Sequence, residues 1–294
     1  MAPIQIDDLT KRYGEIVAND GVTFDVDDGE IFGYLGPNGA GKTTTIRLLL
    51  GLLKPTSGTA SVLGASIDDP AALSEAKRNI GYLPDELGFP EKVTGQQLID
   101  FHASLKGAPR LDTILALFDP PLDRQIRAYS SGNKQMLGLV LTFMHDPALV
   151  ILDEPTSGLD PLKQSLFHEF IRGERDRGVT VFLSSHVLSE VRSICDRVGI
   201  LRDGRLVELE EIDTMLRRGG KRVVVVYEND GSDPSEWDDV HDIERVGGAY
   251  QFMFTGSYTS LLSHLAEHEV REITIEEPPL EEVFMHYYGA GSDA

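Results

Sequence analysis

The sequence predicts an α/β fold built around a parallel sheet, and three observations carry that prediction. Ile31–Leu35, Ala148–Leu152 and Val179–Leu183 are almost unbroken apolar runs, as expected of strands covered on both faces. Segments of helical period separate them, which implies crossover connections. Each run ends in a polar cluster: Gly36–Thr43, Asp153-Glu154 and Ser184-Ser185-His186. Ligands of such sheets bind beyond the carboxyl ends of the strands, so the three clusters can converge.

The other elements follow in order. Ile4–Leu9 alternates weakly, and Val22, Phe24 and Val26 alternate strictly with polar residues, the period of a half-buried antiparallel strand. The sheet is therefore expected to be mixed. Asp27-Asp28-Gly29 turns the chain into the first apolar run, and spacing becomes helical from Lys42 to Leu53. Residues from about 86 to 145 read as an inserted helical subdomain, with Thr94 and Gln97 forming a capping box. Asp160-Pro161 is a helix start, an N-cap side chain followed by proline at the first helical position. After Arg218 the character changes. Arg222–Tyr227, Ala249–Phe254 and Val270–Ile275 read as strands, Ser257–His268 as a helix, and Leu280–Tyr288 as a last helix. The expected division is a sheet domain over 1–218 and a small C-terminal α+β domain over 219–294.

Bulk properties bound the function. Hydrophobic residues make up 41 % of the 294, enough for a packed core. A formal net charge of -21 argues against a general nucleic-acid binder, because phosphate backbones are held by Lys and Arg. Plentiful Asp, with Arg outnumbering Lys, suggests a halophilic protein kept soluble in high salt, where screening removes self-repulsion. An ordinary acidic protein is the plain alternative. The lone cysteine, Cys195, allows no internal disulfide and is expected as a buried thiol within a helix. Met1–Asp8 lacks the basic start of a signal peptide, and no run approaches the ~20 apolar residues of a membrane span.

The chemistry-bearing motifs are specific. Gly36-Pro37-Asn38-Gly39-Ala40-Gly41-Lys42-Thr43 is a Walker A pattern, or P-loop. Its glycines let successive N–H groups turn onto phosphate oxygens, and the helix that follows adds its positive end. Lys42 supplies charge for the outer phosphates and Thr43 a hydroxyl for magnesium, with Thr44 alongside in the nucleotide-binding set. Asp153 and Glu154 at the end of a buried strand would repel one another unless a cation or proton is shared. Magnesium suits Asp153, leaving Glu154 to polarise the attacking water. His186 is read as a contact to the terminal phosphate rather than as a structural or merely exposed histidine. Tyr13 is either an adenine-stacking ring or an ordinary core or surface tyrosine.

Together these residues resemble the ATP-binding cassette (ABC) ATPase family, over roughly Ile4 to Met215. Tyr13 falls where that family places its adenine-stacking aromatic. Ile80-Gly81-Tyr82-Leu83-Pro84 leads to the loop that usually carries a glutamine. Tyr129-Ser130-Ser131-Gly132-Asn133-Lys134-Gln135 occupies the place of the family signature. Ile151-Leu152-Asp153-Glu154-Pro155-Thr156 looks like Walker B, Ser157-Gly158-Leu159-Asp160 like the D-loop, and His186 like the switch histidine. The resemblance implies a P-loop NTPase fold of ABC type, with ATP and Mg2+ as ligands. It also implies two cassettes, a second copy or a related chain, closing over two nucleotides. Ser130, Ser131 and Gly132 of one would then reach the γ-phosphate held by the other, at a helix start that favours an anion.

Two departures from the family pattern stand out. The usual pair of signature glycines is here Ser131-Gly132, and the usual glutamine is Asp85, followed by Glu86. Asp85 is expected to reach magnesium directly or through water. Pro279–Phe284 resembles the tail of exporter-type drug, sodium and polysaccharide systems. The resemblance therefore implies the ATPase subunit of an exporter, lying on the cytoplasmic face of the membrane against separate membrane-spanning permease subunits. The alternatives are a soluble cassette ATPase acting on nucleic acid or ribosomes, and a non-hydrolysing regulator.

Overall fold

The computed structural model describes residues 2–218, 220–228 and 233–276. The chain divides into two compact units, Met1–Glu210 and Glu211–Ala294. The first unit opens with an antiparallel pair, β1 (Ile4–Tyr13) and β2 (Ile16–Val26), paired from Ile4↔Val26 to Tyr13↔Ile16 with register shifts between Ile6 and Arg12. β3 (Ile31–Leu35) enters α1 (Lys42–Leu49) through the glycine-rich loop. β4 (Ser57–Val62) and β5 (Ala65–Ser66) complete a sheet ordered β2-β1-β4-β5. α2 (Pro70–Ala76) starts at Asp69, whose carboxylate accepts from the N–H groups of Ala71 and Ala72. β6 (Ile80–Leu83) follows.

The inserted segment is helical: α3 (Gly95–Lys106), α4 (Leu111–Phe118) and α5 (Ser131–Phe143). The Thr94–Gln97 capping box is present in full at the start of α3. Then come β7 (Leu149–Asp153), α6 (Pro161–Asp176), β8 (Thr180–Ser185), α7 (Leu188–Ile194), β9 (Arg197–Arg202) and β10 (Arg205–Glu211). Asp160 caps α6 by accepting from the Lys163 N–H, and Pro161 sits at the first helical position.

The six-stranded sheet is ordered β10-β9-β3-β8-β7-β6. β9, β3, β8, β7 and β6 pair in parallel, with Leu35 opposite Ser185 and Asp153 opposite Ser184. This register places the ends of β3, β8 and β7 side by side. Between the two sheets, Phe24 stacks on Phe32 at 5.1 Å and on Phe182 at 6.2 Å. All three rings are buried with Ile46, Leu48 and Leu49 of α1. Each such side chain contributes about 1.5–3 kcal/mol through the water-exposed area it loses. The glycine loop is thereby anchored at both ends to one core.

The helical insertion is tied to the sheet by charge. Glu174 of α6 is buried and accepts from Arg110 at 2.5 and 2.7 Å and from Arg177 at 3.1 Å. Cys195 lies one residue beyond α7, so it caps that helix rather than belonging to it. Burial pushes its thiol well above the usual range.

The second unit holds α8 (Ile212–Arg218), β11 (Lys221–Tyr227), β12 (Val240–Val246), β13 (Ala249–Phe254), α9 (Tyr258–Ala266) and β14 (Val270–Glu276). Its sheet is ordered β12-β13-β11-β14, with antiparallel pairs throughout. Val223, Val225, Phe252, Phe254, Leu261 and Leu265 form its core. β12 has no counterpart in the sequence reading, because as an edge strand it is largely exposed and carries His241, Asp242, Glu244 and Arg245. β9 and β10 are likewise new. The expected helix Leu280–Tyr288 and the Pro279–Phe284 tail pattern lie outside the described residues.

Candidate active site

The glycine loop is a backbone structure. Gly41 has φ 110°, and a Cβ there would lie 2.1 Å from the Ala18 carbonyl oxygen. A Cβ on Gly36 would lie 2.5 Å from the Leu201 carbonyl oxygen. Neighbouring strands therefore press on the loop so closely that only glycine fits. Ala40 N–H donates to the Pro37 carbonyl at 3.1 Å, and Gly204 N–H to the Ala40 carbonyl at 3.1 Å, closing the turn around Asn38 and Gly39. Asn19, fully buried on β2, supports the loop from below, donating to Thr45 Oγ1 at 2.8 Å and to the Gly41 carbonyl at 3.5 Å. Thr43 and Thr44 lie half-buried in the first turn of α1.

Lys42 joins this loop to the next strand end. Its Nζ donates to the Gly36 carbonyl at 2.7 Å and lies 3.4 Å from Glu154 Oε1. Glu154 has φ 52°, a strained conformation for a residue with a side chain, and its N–H donates to the Ser184 carbonyl at 3.2 Å. Its other oxygen, Oε2, lies 2.8 Å from His186 Nδ1. One carboxylate is thus held between an ammonium and an imidazole. The Nδ1–H tautomer satisfies that contact and leaves Nε2 free to meet a ligand, as His186 is half-exposed.

Asp153 is buried beside it. The Ser184 hydroxyl donates to Oδ1, while Oδ2 is enclosed without a partner. A buried carboxylate oxygen left unpaired costs several kcal/mol unless a cation meets it. That oxygen, with the Thr43 hydroxyl, fits a hard cation such as Mg2+, which takes oxygen ligands. Asp85 lies two residues past β6, whose Leu83 pairs with Leu152 of β7, and it is exposed. Burial, and then Asp153, push the Tyr82 hydroxyl upward in pKa, and Asp85 adds to the shift.

The signature segment opens α5, with Ser130 as N-cap accepting from Asn133 N–H at 3.2 Å. Ser131 is exposed and abuts Gly158, where an added Cβ would lie 3.1 Å from Ser131 Oγ. Gly132 sits against the Gly158 carbonyl, with only 3.0 Å for a Cβ. Gln135, a signature-segment residue, donates from Nε2 to the Pro155 carbonyl at 2.6 Å. It ties the signature helix to the turn after Glu154. Tyr13 is 45 % exposed at the end of β1, as a stacking ring must be, with Lys11 Nζ 5.1 Å from its centroid.

The structure thus brings Gly36–Thr43, Asp153, Glu154 and His186 to adjoining strand ends. Ser184, Gln135 and Asn19 join them as supports the sequence reading left without roles. Ser184 belongs to the strand-end cluster Ser184-Ser185-His186, whereas Asn19 carries no signal in the sequence.

Comparison with known proteins decides the family. A family model described as ABC transporter matches residues 19–157. The bacitracin transport ATP-binding protein BcrA of Bacillus licheniformis is 34 % identical over 309 aligned positions, covering 98 % of this chain and 98 % of that protein. The chain belongs to the ABC transporter ATP-binding proteins. It is an ATPase, the ATP-binding and ATP-hydrolysing subunit of such a transporter. A solved ATP-binding subunit of an ABC transporter superposes with a TM-score of 0.67 at 31 % identity, covering 73 % of this chain and 92 % of that one. The fold is shared with the ABC cassette MJ0796, solved as a dimer in a post-hydrolysis state with ADP and Pi, at a TM-score of 0.65. That alignment is 22 % identical and covers 71 % of this chain and 98 % of that one. Both sides of the comparison favour a transporter subunit over an ATPase acting on nucleic acid or ribosomes.

Proposed function

We propose that this cassette hydrolyses MgATP at a site completed by a second cassette, and that closure drives separate membrane-spanning subunits toward export. The observation that carries the catalytic part is Glu154 held between Lys42 and His186 at adjoining strand ends. Glu154 takes a proton from water as it attacks the γ-phosphate. Lys42 leaves the carbonyls of its own loop to meet the outer phosphates. His186, holding Glu154 through Nδ1, offers Nε2 toward the terminal phosphate. Gly36, Pro37, Asn38, Gly39, Ala40, Gly41 and Thr44 cradle the phosphates, and Tyr13 stacks on the base. Thr43 and Asp153, with Asp85 from the neighbouring strand end, would hold Mg2+, which supplies charge neutralisation of the outer phosphates when bound.

Ser130, Ser131 and Gly132 present the start of α5 to the partner cassette's γ-phosphate. The dimeric form of the distantly related cassette supports that reading, and the bacitracin relative supports peptide antibiotics or drugs as cargo. Among the described residues no helix is long and apolar enough to cross a membrane, which supports permease subunits as separate chains and a cytoplasmic membrane face as the location. The acidic surface supports a high-salt origin; circular dichroism unchanged on removing salt removes that part.

Glu154→Gln tests the shared site. With saturating MgATP it is expected to double in mass by light scattering, while the nucleotide-free protein does not; a monomer at saturating ATP overturns the shared site. In mild detergent the full chain is expected to retain a membrane protein, and its absence overturns the permease partner. Cells carrying the complete transporter are expected to accumulate less bacitracin than cells with Lys42→Ala, and equal accumulation overturns export of that cargo.

A further inference from the structure

Behind the catalytic pair lies a second buried carboxylate that the reading above leaves without a role. Glu190 is the third residue of α7 and is 5 % exposed. Its Oε2 accepts from Ser185 Oγ at 2.7 Å, and the Thr156 hydroxyl is near enough to favour the charged form of the same carboxylate. Ser185 immediately precedes His186, and Thr156 lies two residues after Glu154. The carboxylate therefore lies between the two chain segments that carry the catalytic pair.

The rest of its surroundings fix it in place. Ser185 Oγ also accepts from the Val187 N–H at 2.9 Å, so the turn holding His186 is pinned on both sides of the histidine. Ser193 Oγ donates to the Glu190 carbonyl at 2.8 Å and contacts His168 Nδ1 at 3.3 Å. The second oxygen, Oε1, faces His168 Nε2 at 4.0 Å, and neither atom has a hydrogen-bond partner. A carboxylate in such a place is costly to stability, since burial disfavours its charge and pushes its pKa up, and Glu154 pushes it further. An apolar residue would fill the volume at less cost. What the carboxylate adds is a directional acceptor bond to Ser185 on one segment and a polar contact with Thr156 on the other.

We propose that Glu190 is a positioning residue for ATP hydrolysis: it accepts from the Ser185 hydroxyl, lies beside the Thr156 hydroxyl, and so holds His186 in contact with Glu154. The inference rests on the roles given above to Glu154 and His186. Without the carboxylate the two segments are free to drift, and an error of about 1 Å in a catalytic group costs on the order of 100-fold in rate. Binding of nucleotide to the glycine loop uses none of these atoms.

The test measures steady-state ATPase activity of the full chain for Glu190→Ala, His186→Ala, the double variant and Glu190→Gln. Glu190→Ala is expected to lose 10-fold or more in kcat, by about the reasoning just given, with the KM for ATP changed less than about 2-fold. In the His186→Ala background the same substitution is expected to cost nothing further, because residues acting as one unit are non-additive. Glu190→Gln keeps an acceptor oxygen for one hydroxyl and is expected to recover most of the rate. Thr156→Val, which removes the neighbouring hydroxyl without altering the core carboxylate, is expected to lower kcat in the same direction and serves if Glu190→Ala does not fold. Wild-type kcat in Glu190→Ala, or an equal loss with and without His186, overturns the inference. Wild-type turnover in Glu154→Gln and His186→Ala would instead overturn the catalytic reading beneath it.

Discussion

The glycine loop and the Glu154–His186 pair lie on neighbouring strands, yet they are built by opposite means. The loop is made of backbone, and its specificity comes from what cannot be added: a Cβ at Gly41 or Gly36 would collide with the carbonyls of Ala18 and Leu201. The pair is made of side chains 32 positions apart in sequence, and it needs supports at Ser184, Ser185 and Thr156. A contiguous loop is set by local geometry, whereas a pair assembled from separate strands depends on register. Lys42 belongs to both, bonded to Gly36 and beside Glu154.

That shared position predicts a large effect. Lys42→Ala removes the charge we propose for the outer phosphates and is expected to lower turnover by about 100- to 1,000-fold, measured as phosphate release. Turnover within a factor of two of wild type would separate Lys42 from the catalytic pair. Next comes the tie between insertion and sheet, which lies outside both regions. Arg110→Ala leaves buried Glu174 with Arg177 alone and is expected to cost about 2–3 kcal/mol, somewhat less than a fully orphaned buried charge. Chemical denaturation should show that loss while the KM for ATP stays put; a changed KM would mean the insertion shapes the cradle.

Gly41→Ala sharpens the comparison itself. Backbone strain and the 2.1 Å approach predict about 1–3 kcal/mol of destabilisation together with weakened nucleotide binding, although only a methyl group is added. Full binding by titration would show that the loop is less closely pressed than the carbonyl of Ala18 implies.

The smallest effect is on pH. Burial, and then Lys106, push His145 down from 6.5 to about 4. The unfolded chain takes up this proton first, so the contribution is fully present above about pH 6.5 and is lost as pH falls toward 4. His145→Gln is expected to flatten the stability profile in that window, and an unchanged slope assigns the acid loss elsewhere.

Much of this was legible in sequence because the deciding signals are short in range. Ile31–Leu35 running into Gly36–Thr43 fixes strand, loop and helix within a few residues, and the structure has β3 and α1 there. The buried strands around Val150 and Val181 were also readable, their observed ends shifted by a residue or two because polar Asp153, Ser184 and Ser185 stay in the ladder. β12 was not readable, since an exposed edge strand keeps no apolar alternation. Asn19 and Glu190 were invisible for another reason. Each is a polar residue whose importance comes only from burial, and burial is decided by strands and helices far away in sequence.

The central claim is that Glu154 performs the hydrolytic step in a cradle that binds ATP independently of it. Phosphate release and ATP affinity, measured side by side for wild type and Glu154→Gln in the presence of Mg2+, test it directly. The account predicts affinity unchanged within about 2-fold and turnover lowered by about 100- to 10,000-fold, the range of a lost general base. Equal turnover in the two proteins would contradict it.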